Sequence, residues 1–514
     1  MPLTGLMSLL PATSLRAGEL YQSGDLELRW DNTVRYSGAA RFLSRDSALI
    51  ADPNADDGDR NFRPGIVSNR LDVESELDLT DGSFGVHASA AGWYDSIYRQ
   101  RNDNDSPATF NPASVPNNKF TRAVATLHGE DAELLDAFVH GQFNIGDDDL
   151  TLRIGRQTLL WGESLFFADN GISFGQAPID NIKELSSPVI YAREVFLPVA
   201  QASASLQIST DATVSAYYQF EWRKARQPGA GSYFSSLDYL DEGGERYIVA
   251  PNLFLLRTRD QKPPDSGQFG IALQFDASDF NYGFYVLRFN SNEPQVYLRP
   301  AATAVGTTAG SYNLVYPRGI ELYGASFSGY LDDLNIAGEL SVRRHMPLVS
   351  NPIAVPVGTP ADGAGHPLYP VGDTFHAQLS SVETIAPNRF WDRADLAVEF
   401  ALNDRLDIEK NAGAVDGVRT PFALAVRASF EPRYFEVLPG LDLGFPLGVG
   451  YGIVGNSSTD DTQYENAGDV EAGVQLTYRT EWSANLSVTD FFGSPVHQAL
   501  RDRGFISFSV QRTF

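Results

Sequence analysis

The sequence predicts an all-β fold, a transmembrane antiparallel β-barrel of about 18 strands, with about 16 as the alternative count. Three observations predict it. First, apolar and polar residues alternate in segments of about ten residues. Second, the spacers between these segments are alternately short and long. Third, no run of 18 apolar residues occurs after residues 1–17. Because a helical span needs such a run, the pattern favours strands that cross a bilayer.

The alternation is clear in residues 213–223, where five apolar residues occupy every second position: Val214, Ala216, Tyr218, Phe220 and Trp222. Residues 70–79 and 470–481 repeat it. Such segments have one apolar and one polar face, which is typical of strands with lipid on one side and water on the other. A soluble antiparallel sandwich also alternates in this way and is the competing interpretation.

The spacers favour the barrel. Tight polar turns are predicted near 81–82, 147–149, 210–211, 278–279, 332–333, 403–404, 439–440 and 483–484. Long segments rich in Asp, Asn, Gly and Pro occupy roughly 42–65, 101–130, 160–195, 226–264, 294–316, 348–391, 411–418, 455–467 and 493–502. Eight turns and nine loops connect eighteen strands, an even number that lets the first and last strands pair. We expect short turns in the periplasm and long loops outside the cell.

Composition limits the function. Of the 514 residues, 39 are Lys or Arg and 65 are Asp or Glu, and the net charge of −26 with no basic run argues against nucleic acid as a partner. The chain has no Cys, and its seven His form neither an HExxH pair nor a close ligand cluster. No GxSxG segment is present. The sequence therefore predicts no enzyme, no catalytic residues, no cofactor and no dedicated metal site.

Two acidic segments qualify that prediction. Asp52, Asp56, Asp57 and Asp59 lie in one predicted loop, and residues 460–465 contain another acidic group. Such segments could bind Ca²⁺, or bridge through divalent ions to lipopolysaccharide. A solvated acidic loop is the simpler interpretation.

The two ends of the chain carry predicted signals. Residues 1–17 are similar to a partial signal peptide without a positive n-region, which leaves 18–514 as one barrel domain. Phe508 and Val510 alternate with polar residues in the last segment, and Phe514 follows them. A terminal aromatic residue on an amphipathic strand resembles the signal that the outer-membrane assembly machinery of Gram-negative bacteria recognises, and it predicts that location.

The predicted loop 160–195 is unusually apolar for a surface segment. It contains Trp161, Phe166 and Phe167, which favour burial, and so we expect it to fold into the barrel and narrow the pore. Its acidic residues Glu163, Asp180 and Glu194 could pair with Arg153 and Arg156 of the preceding strand. These eight residues are the predicted constriction and substrate path; the alternative is that the ion pairs only hold the loop in place.

The alternation also assigns charged residues of both signs to the lumen. They are Arg29, Asp31, Arg35, Glu339, Arg343 and His345. Charges of both signs predict a hydrated interior. They could orient a passing solute, or they could pair with one another and stiffen the wall.

Several short motifs add a resemblance. They are residues 153–170 (RIGRQTLLWGESLFFADN), 178–180 (PID), 30–33 (WDNT), 57–62 (DGDRNF), 92–95 (GWYD) and 389–392 (RFWD). With these motifs the chain resembles an outer-membrane family catalogued as domain of unknown function 1302. The resemblance implies a barrel in the envelope and a role in the traffic of hydrophobic or aromatic compounds alongside other envelope components, without an established substrate.

The functional hypothesis is thus an outer-membrane channel for small hydrophobic or aromatic organic molecules or lipids, passive or coupled to envelope partners. A general or carboxylate-preferring hydrophilic porin is one alternative. A structural or docking component of an envelope complex is the other.

Overall fold

The computed structural model describes residues 19–146, 148–187, 190–332 and 334–514. The signal peptide predicted for 1–17 lies outside these residues, as do Asp147 and Asp333 of two predicted turns. The described strands are numbered β1 to β25 in chain order: Glu19–Ser23, Leu26–Arg41, Gly65–Asp81, Phe84–Asp95, Glu130–Ile145, Asp148–Gln157, Val199–Ser209, Ala212–Gln219, Arg246–Ala250, Leu253–Arg257, Gln268–Ala277, Phe280–Phe289, Gln295–Val305, Thr308–Val315, Ile320–Leu331, Leu334–Pro347, Ile353–Ala354, Val371–Ile385, Arg393–Arg405, Phe422–Leu438, Leu441–Gly444, Leu447–Val454, Gly468–Tyr478, Trp482–Phe492 and Phe505–Thr513.

The main sheet is a closed antiparallel barrel of 18 strands, which confirms the predicted fold class. Strands β21 and β22 share one position, because both pair with β20 and β23 and are separated only by Phe445 and Pro446. Proline cannot donate to the ladder, which explains the break. The barrel closes where β2 pairs with β25, and the short β1 pairs with the start of β2.

The exterior of the barrel is apolar. On β3 the outward residues Leu71, Val73 and Leu77 are 44%, 43% and 39% exposed, and the other barrel strands repeat the pattern. A continuous apolar surface of this extent is unfavourable in water and suits contact with lipid. Trp222 departs from the predicted alternation and is buried, because β8 ends at Gln219 and the chain has already entered a loop.

The connections are short at one end and long at the other, with two differences in position from the prediction. The segment Val371–Ile385, predicted within the loop 348–391, is barrel strand β18, and Asn403 and Asp404 lie inside β19 rather than in a turn. Ser483 and Ala484 likewise lie inside β24. The outward face of β18 carries Asp373 and Ser381 beside the apolar Phe375 and Leu379, and so its alternation is too weak to mark a strand.

A second sheet of five strands stands at the long-loop end. Its order is β17-β13-β14-β10-β9, and its strands come from the long connections 220–267, 290–319 and 348–370. Tyr312 and Leu314 of β14 are fully buried in its apolar cluster. The segments predicted as irregular loops at 226–264 and 294–316 therefore contain regular structure.

The helices are short: α1 (Asp57–Arg60), α2 (Arg122–Val124) and α3 (Asn181–Ser186), with a few single turns of 3₁₀-helix and one π-helical turn. None of the described helices has the length and apolar character to cross a membrane. They serve to shape the long connections.

Candidate functional site

The connection between β6 and β7, residues 158–198 apart from 188 and 189, lies against the inner side of the barrel and is called the inner loop. It packs on seven neighbouring strands, β8, β11, β12, β15, β16, β18 and β19, which form the loop-covered wall. The Trp161 ring lies 5.1 Å from that of Tyr217 and 5.9 Å from that of Tyr285. Ile172 is fully buried in the same apolar cluster.

Two carboxylates of the loop-covered wall hold the backbone of the inner loop. Glu399 accepts hydrogen bonds from the N–H groups of Leu165, Phe166 and Phe167 at 2.9, 2.6 and 3.0 Å. Glu339 accepts those of Glu163 at 2.6 Å and Ile172 at 2.8 Å. Both carboxylates are buried, and hydrogen bonds to an ionised acceptor are stronger than neutral ones.

Gly162 allows this close approach. Its φ is 92°, in the left-handed region, and a Cβ atom there would collide with the Glu339 carboxylate. Only glycine fits both conditions without strain.

Donors of the same wall satisfy the carbonyl groups of the inner loop. The guanidinium of Arg343 donates to the carbonyl oxygens of Asp169 and Gly171, both at 2.9 Å. Nδ1 of His376 lies 2.9 Å from Oδ1 of Asn170. Glu339 and Arg343, predicted as charges that line the lumen, therefore contact the loop instead of a passage, since the loop covers them.

The predicted ion pairs of the inner loop do not form. Asp180 pairs with Arg226 at 2.6 Å and caps α3, whereas Arg156 lies 3.7 Å from Glu221 and contacts no acid of the loop. Arg153 is exposed, with its guanidinium 5.8 Å from the ring centre of Phe138.

The other two predicted acids pair with neither arginine of the preceding strand. Glu163 accepts a hydrogen bond from the Ser328 hydroxyl at 3.1 Å. Glu194 is exposed, and only its backbone oxygen accepts a described bond, from Nζ of Lys183 at 2.8 Å. The arginines of the preceding strand were the wrong partners because the loop turns away from them, across the lumen.

Two of the three aromatic residues predicted for the constriction, Trp161 and Phe166, do not line a passage. Trp161 and Phe166 are 6% and 4% exposed, and Phe167 is half-buried. The Trp161 ring packs against Tyr217 and Tyr285 of the wall, and the Phe166 ring stacks on Tyr191 of the loop, where apolar area is removed from water. Trp161 and Phe166, predicted to form an apolar constriction, are therefore an apolar anchor.

Strands β2 and β3 form the open wall, whose inward side chains are not covered by the loop. Arg29 and Arg35 are 54% and 45% exposed, Arg29 pairs with Asp31 at 3.1 Å, and Arg35 lies 3.5 Å from Asp72. These positions match the predicted alternation.

The open wall also carries unbalanced acids. Glu76 faces Asp31 across the strand pair, and Glu74 faces Thr33. Within the described ranges, neither Glu74 nor Glu76 has a basic group within 4 Å. The open wall is thus hydrated and more negative than its ion pairs alone would make it.

His345 was predicted to face the lumen, and the structure shows that this prediction is wrong. A bulge between Arg343 and Met346 interrupts the alternation, and His345 has a φ of 58°. Its Nδ1 lies 2.9 Å from Oε2 of Glu409, and its N–H donates to Asp373 on the outward side of β18. The bulge therefore places His345 at the rim.

A polar cavity of about 420 Å³ lies at the long-loop ends of β6 to β8, where the inner loop leaves and rejoins the wall. Four cations, Arg156, Arg223, Lys224 and Lys262, contribute to its lining, with Glu221 and Asp265 among the other lining residues. Arg223 also donates to the carbonyl oxygen of Pro198 at 3.4 Å. The sequence predicted only Arg156 of this group as a site residue, because Arg223, Lys224 and Lys262 lie in the long connection 220–267, whose path the alternation does not predict.

Solved structures with a similar fold include three proteins of Acinetobacter baumannii. OccAB4 is 10% identical, with 96% of this chain and 99% of that chain covered and a TM-score of 0.45. OccAB3 is 10% identical, with 95% and 99% covered and a TM-score of 0.45. OccAB1 is 10% identical, with 95% and 96% covered and a TM-score of 0.45.

No curated protein matches the sequence. The family described as "Protein of unknown function (DUF1302)" matches residues 2–514, almost the whole chain. The chain therefore belongs to the DUF1302 family, as the sequence motifs implied.

Proposed function

We propose that the protein is a channel of the Gram-negative outer membrane, and not an enzyme, through which small hydrophilic solutes and ions diffuse with a preference for cations. The observation that carries the proposal is the open wall, where Glu74 and Glu76 face the lumen, exposed and without a basic partner among the described residues. The long loops would face the outside of the cell.

The physical argument starts from hydration. Exposed, ionised side chains such as Arg29, Arg35 and Glu76 need water around them, and so the space that they face is wet. Unbalanced carboxylates beside a low-dielectric wall raise the local concentration of cations. The inner loop occupies the opposite part of the lumen and narrows what remains.

A passage for hydrophobic solutes, the first hypothesis from the sequence, has less support. It needs apolar side chains along the path, and Trp161, Phe166 and Phe174 are all buried. An apolar cavity of about 380 Å³ does exist, but outward residues such as Phe84, Val139 and Phe143 line it. Such a cavity suits a lipid chain on the exterior.

A carboxylate-preferring porin is the second candidate, and the cation-rich cavity at the ends of β6 to β8 favours it. Arg156, Arg223, Lys224 and Lys262 could bind an anionic group there. Three of them already have acidic partners, which lowers their net attraction for an anion: Arg156 with Glu221, Arg223 with Glu133, and Lys224 with Asp241.

The test is electrical. The purified full-length chain, reconstituted in a planar bilayer, should give stable single-channel steps, and a tenfold KCl gradient should give a reversal potential with the sign of cation preference. The heated, unfolded protein is the control. Anion preference would support the second candidate, and a folded barrel without conductance would overturn both in favour of a structural or docking role.

A further inference from the structure

Three carboxylates from two long connections meet in a buried cluster at the long-loop end of the barrel. Asp56 and Asp57 come from the connection 42–64, and Asp238 comes from 220–267. One oxygen of each lies within 4.8 Å of the others. All three residues are 0% exposed. Sequence reasoning saw only the two neighbours, because Asp238 is distant in the chain.

Two carboxylate oxygens of this cluster have no described hydrogen-bond partner. Both oxygens of Asp57 accept, from Nδ2 of Asn104 at 2.9 Å and from the N–H of Asn111 at 3.0 Å. Oδ2 of Asp238 accepts the N–H of Asp57 at 3.0 Å, and Oδ2 of Asp56 accepts from Arg60. Among the described residues, Oδ1 of Asp56 and Oδ1 of Asp238 are buried without a hydrogen-bond partner. Buried polar atoms in folded proteins nearly always have one.

The charges are unbalanced as well. Arg60 is the one basic group within 4 Å of the three carboxylates in the part of the chain that the structure describes. Asp59, two residues after Asp57 in α1, is a buried carboxylate with its charge balanced. It pairs with Arg41 and with Arg503, each at 3.1 Å. A buried charge without a counter-ion is strongly unfavourable. Among the described residues, Asp57 and Asp238 have no basic side chain as an ion-pair partner.

We propose that Asp56, Asp57 and Asp238 bind one hard divalent cation of the Ca²⁺ class. The donors are all oxygen, two of the three carboxylates have an oxygen without a described hydrogen bond, and the charge deficit matches that of a divalent ion. Bound there, the ion would join the connections 42–64 and 220–267. Asn104 and Asn111, which hold Asp57, would tie in the connection 96–129 as well.

Protonation is the competing way to remove the charge. Burial and the neighbouring acids raise the pKa of Asp238 to about 7 and that of Asp57 well above its usual range. A proton shared within the cluster needs no metal, and so the experiment has to separate the two outcomes.

Direct binding separates them. The folded, full-length chain in detergent is treated with a chelator, exchanged into 0.15 M KCl and titrated with Tb³⁺, whose emission is sensitised by a nearby tyrosine; the buried Tyr239 adjoins Asp238. We expect one strong Tb³⁺ site per chain, from which Ca²⁺ displaces the Tb³⁺. The dissociation constant for Ca²⁺ should be roughly 10⁻³ M or tighter. Calorimetric titrations with Ca²⁺ and Mg²⁺ alone give the ion preference.

The variants are Asp238→Asn, which keeps the shape, and Asp373→Asn as the matched control. Asp373 belongs to a second group of possible ligands with His345 and Glu409, but His345 already pairs with Glu409 and Arg344 lies 3.5 Å from Asp373. Asp238→Asn should weaken Ca²⁺ binding at least tenfold, and Asp373→Asn should leave it unchanged.

Equal binding by Asp238→Asn and the unaltered chain would overturn the assignment. If Asp238→Asn does not give a heat-modifiable, folded barrel, the measurement on the unaltered chain alone tests the proposal. If the unaltered chain shows no chelator-sensitive Tb³⁺ emission, the cluster holds a proton and the proposal is wrong.

Discussion

The loop-covered wall and the open wall use the same residue type, an inward-facing glutamate, in opposite ways. Glu399 and Glu339 are 0% and 5% exposed, and together they accept five backbone N–H groups of the inner loop. Glu74 and Glu76 are exposed and have no basic partner among the described residues. The role of an inward-facing carboxylate thus depends on whether the inner loop covers it. A covered carboxylate holds the loop, and an uncovered one contributes to the electric field along the pore.

The difference has an energetic consequence. A buried carboxylate is tolerated only when hydrogen bonds replace its water, and each bond to a charged group contributes about 1.5–3 kcal/mol. Removing an anchor glutamate should therefore loosen the loop, whereas neutralising an open-wall glutamate should change ion preference without changing structure.

Deletion of residues 163–187 should have the largest effect. The barrel ladder does not include this segment, and so the barrel should still close, while the loop-covered wall becomes exposed to the lumen. We expect single-channel conductance to rise several-fold. Heat-modifiable migration is the control for folding; unchanged conductance from a folded deletion would show that the loop does not limit the pore.

Substitution of both anchors, Glu339→Ala with Glu399→Ala, should have the next largest effect. The five N–H groups lose their acceptors, and we expect conductance that fluctuates between levels as the loop opens. The absence of natural Cys allows a second readout: Ser173→Cys, buried in the loop, should react faster with a water-soluble thiol reagent in the double variant.

Glu163→Gln is the matched control for the anchors. Its carboxylate accepts one described hydrogen bond, from the Ser328 hydroxyl, and holds no loop backbone. Steady conductance and slow labelling of Ser173→Cys are expected. An effect as large as that of the double variant would contradict the assignment of Glu339 and Glu399 as anchors.

Much of the fold was predictable from the sequence. The alternation of Leu71, Val73 and Leu77 with charged residues reports directly which face meets lipid, and it holds in most strands. It failed for β18, whose outward face carries Asp373 and Ser381, and at the bulge that turns His345 to the rim. The sheet of β9, β10, β13, β14 and β17 depends on contacts between three distant connections, which periodicity does not encode.

The candidate site was predictable only in part. The apolar content of the inner loop indicates burial, and Trp161 and Phe166 are indeed buried, but which wall they meet depends on the direction of the chain after Gln157. Glu399 and His376, which both hydrogen-bond the loop, follow it by more than 170 residues, and their role appears only when the barrel closes. Asp180 pairs with Arg226 rather than Arg153 or Arg156 for the same reason.

Neutralising the open wall with Glu74→Gln and Glu76→Gln should have a smaller effect. We expect the reversal potential in a KCl gradient to shift towards zero, with unchanged loop labelling. The shift should shrink in 1 M salt, where the Debye length falls to about 3 Å from about 10 Å at 0.1 M. Glu409→Gln at the rim removes one charge, as does the single variant Glu76→Gln, and it should shift the potential less than Glu76→Gln does; equal shifts from these two single variants would mean that the open wall does not set the preference.

Changes at Phe514 should have the smallest effect on the channel and act on assembly instead. Its N–H and carbonyl groups exchange hydrogen bonds of 2.9 Å with Asn32 across the closing strands, and its ring is 50% exposed. Deletion removes the bonds and the ring, whereas Phe514→Ala removes only the ring. If the assembly machinery recognises the aromatic ring, both changes should lower the amount of folded barrel in cells to a similar degree. In detergent, without the machinery, Phe514→Ala should refold like the unaltered chain. A cellular loss with the deletion alone would assign the effect to the closing hydrogen bonds rather than to recognition of the ring.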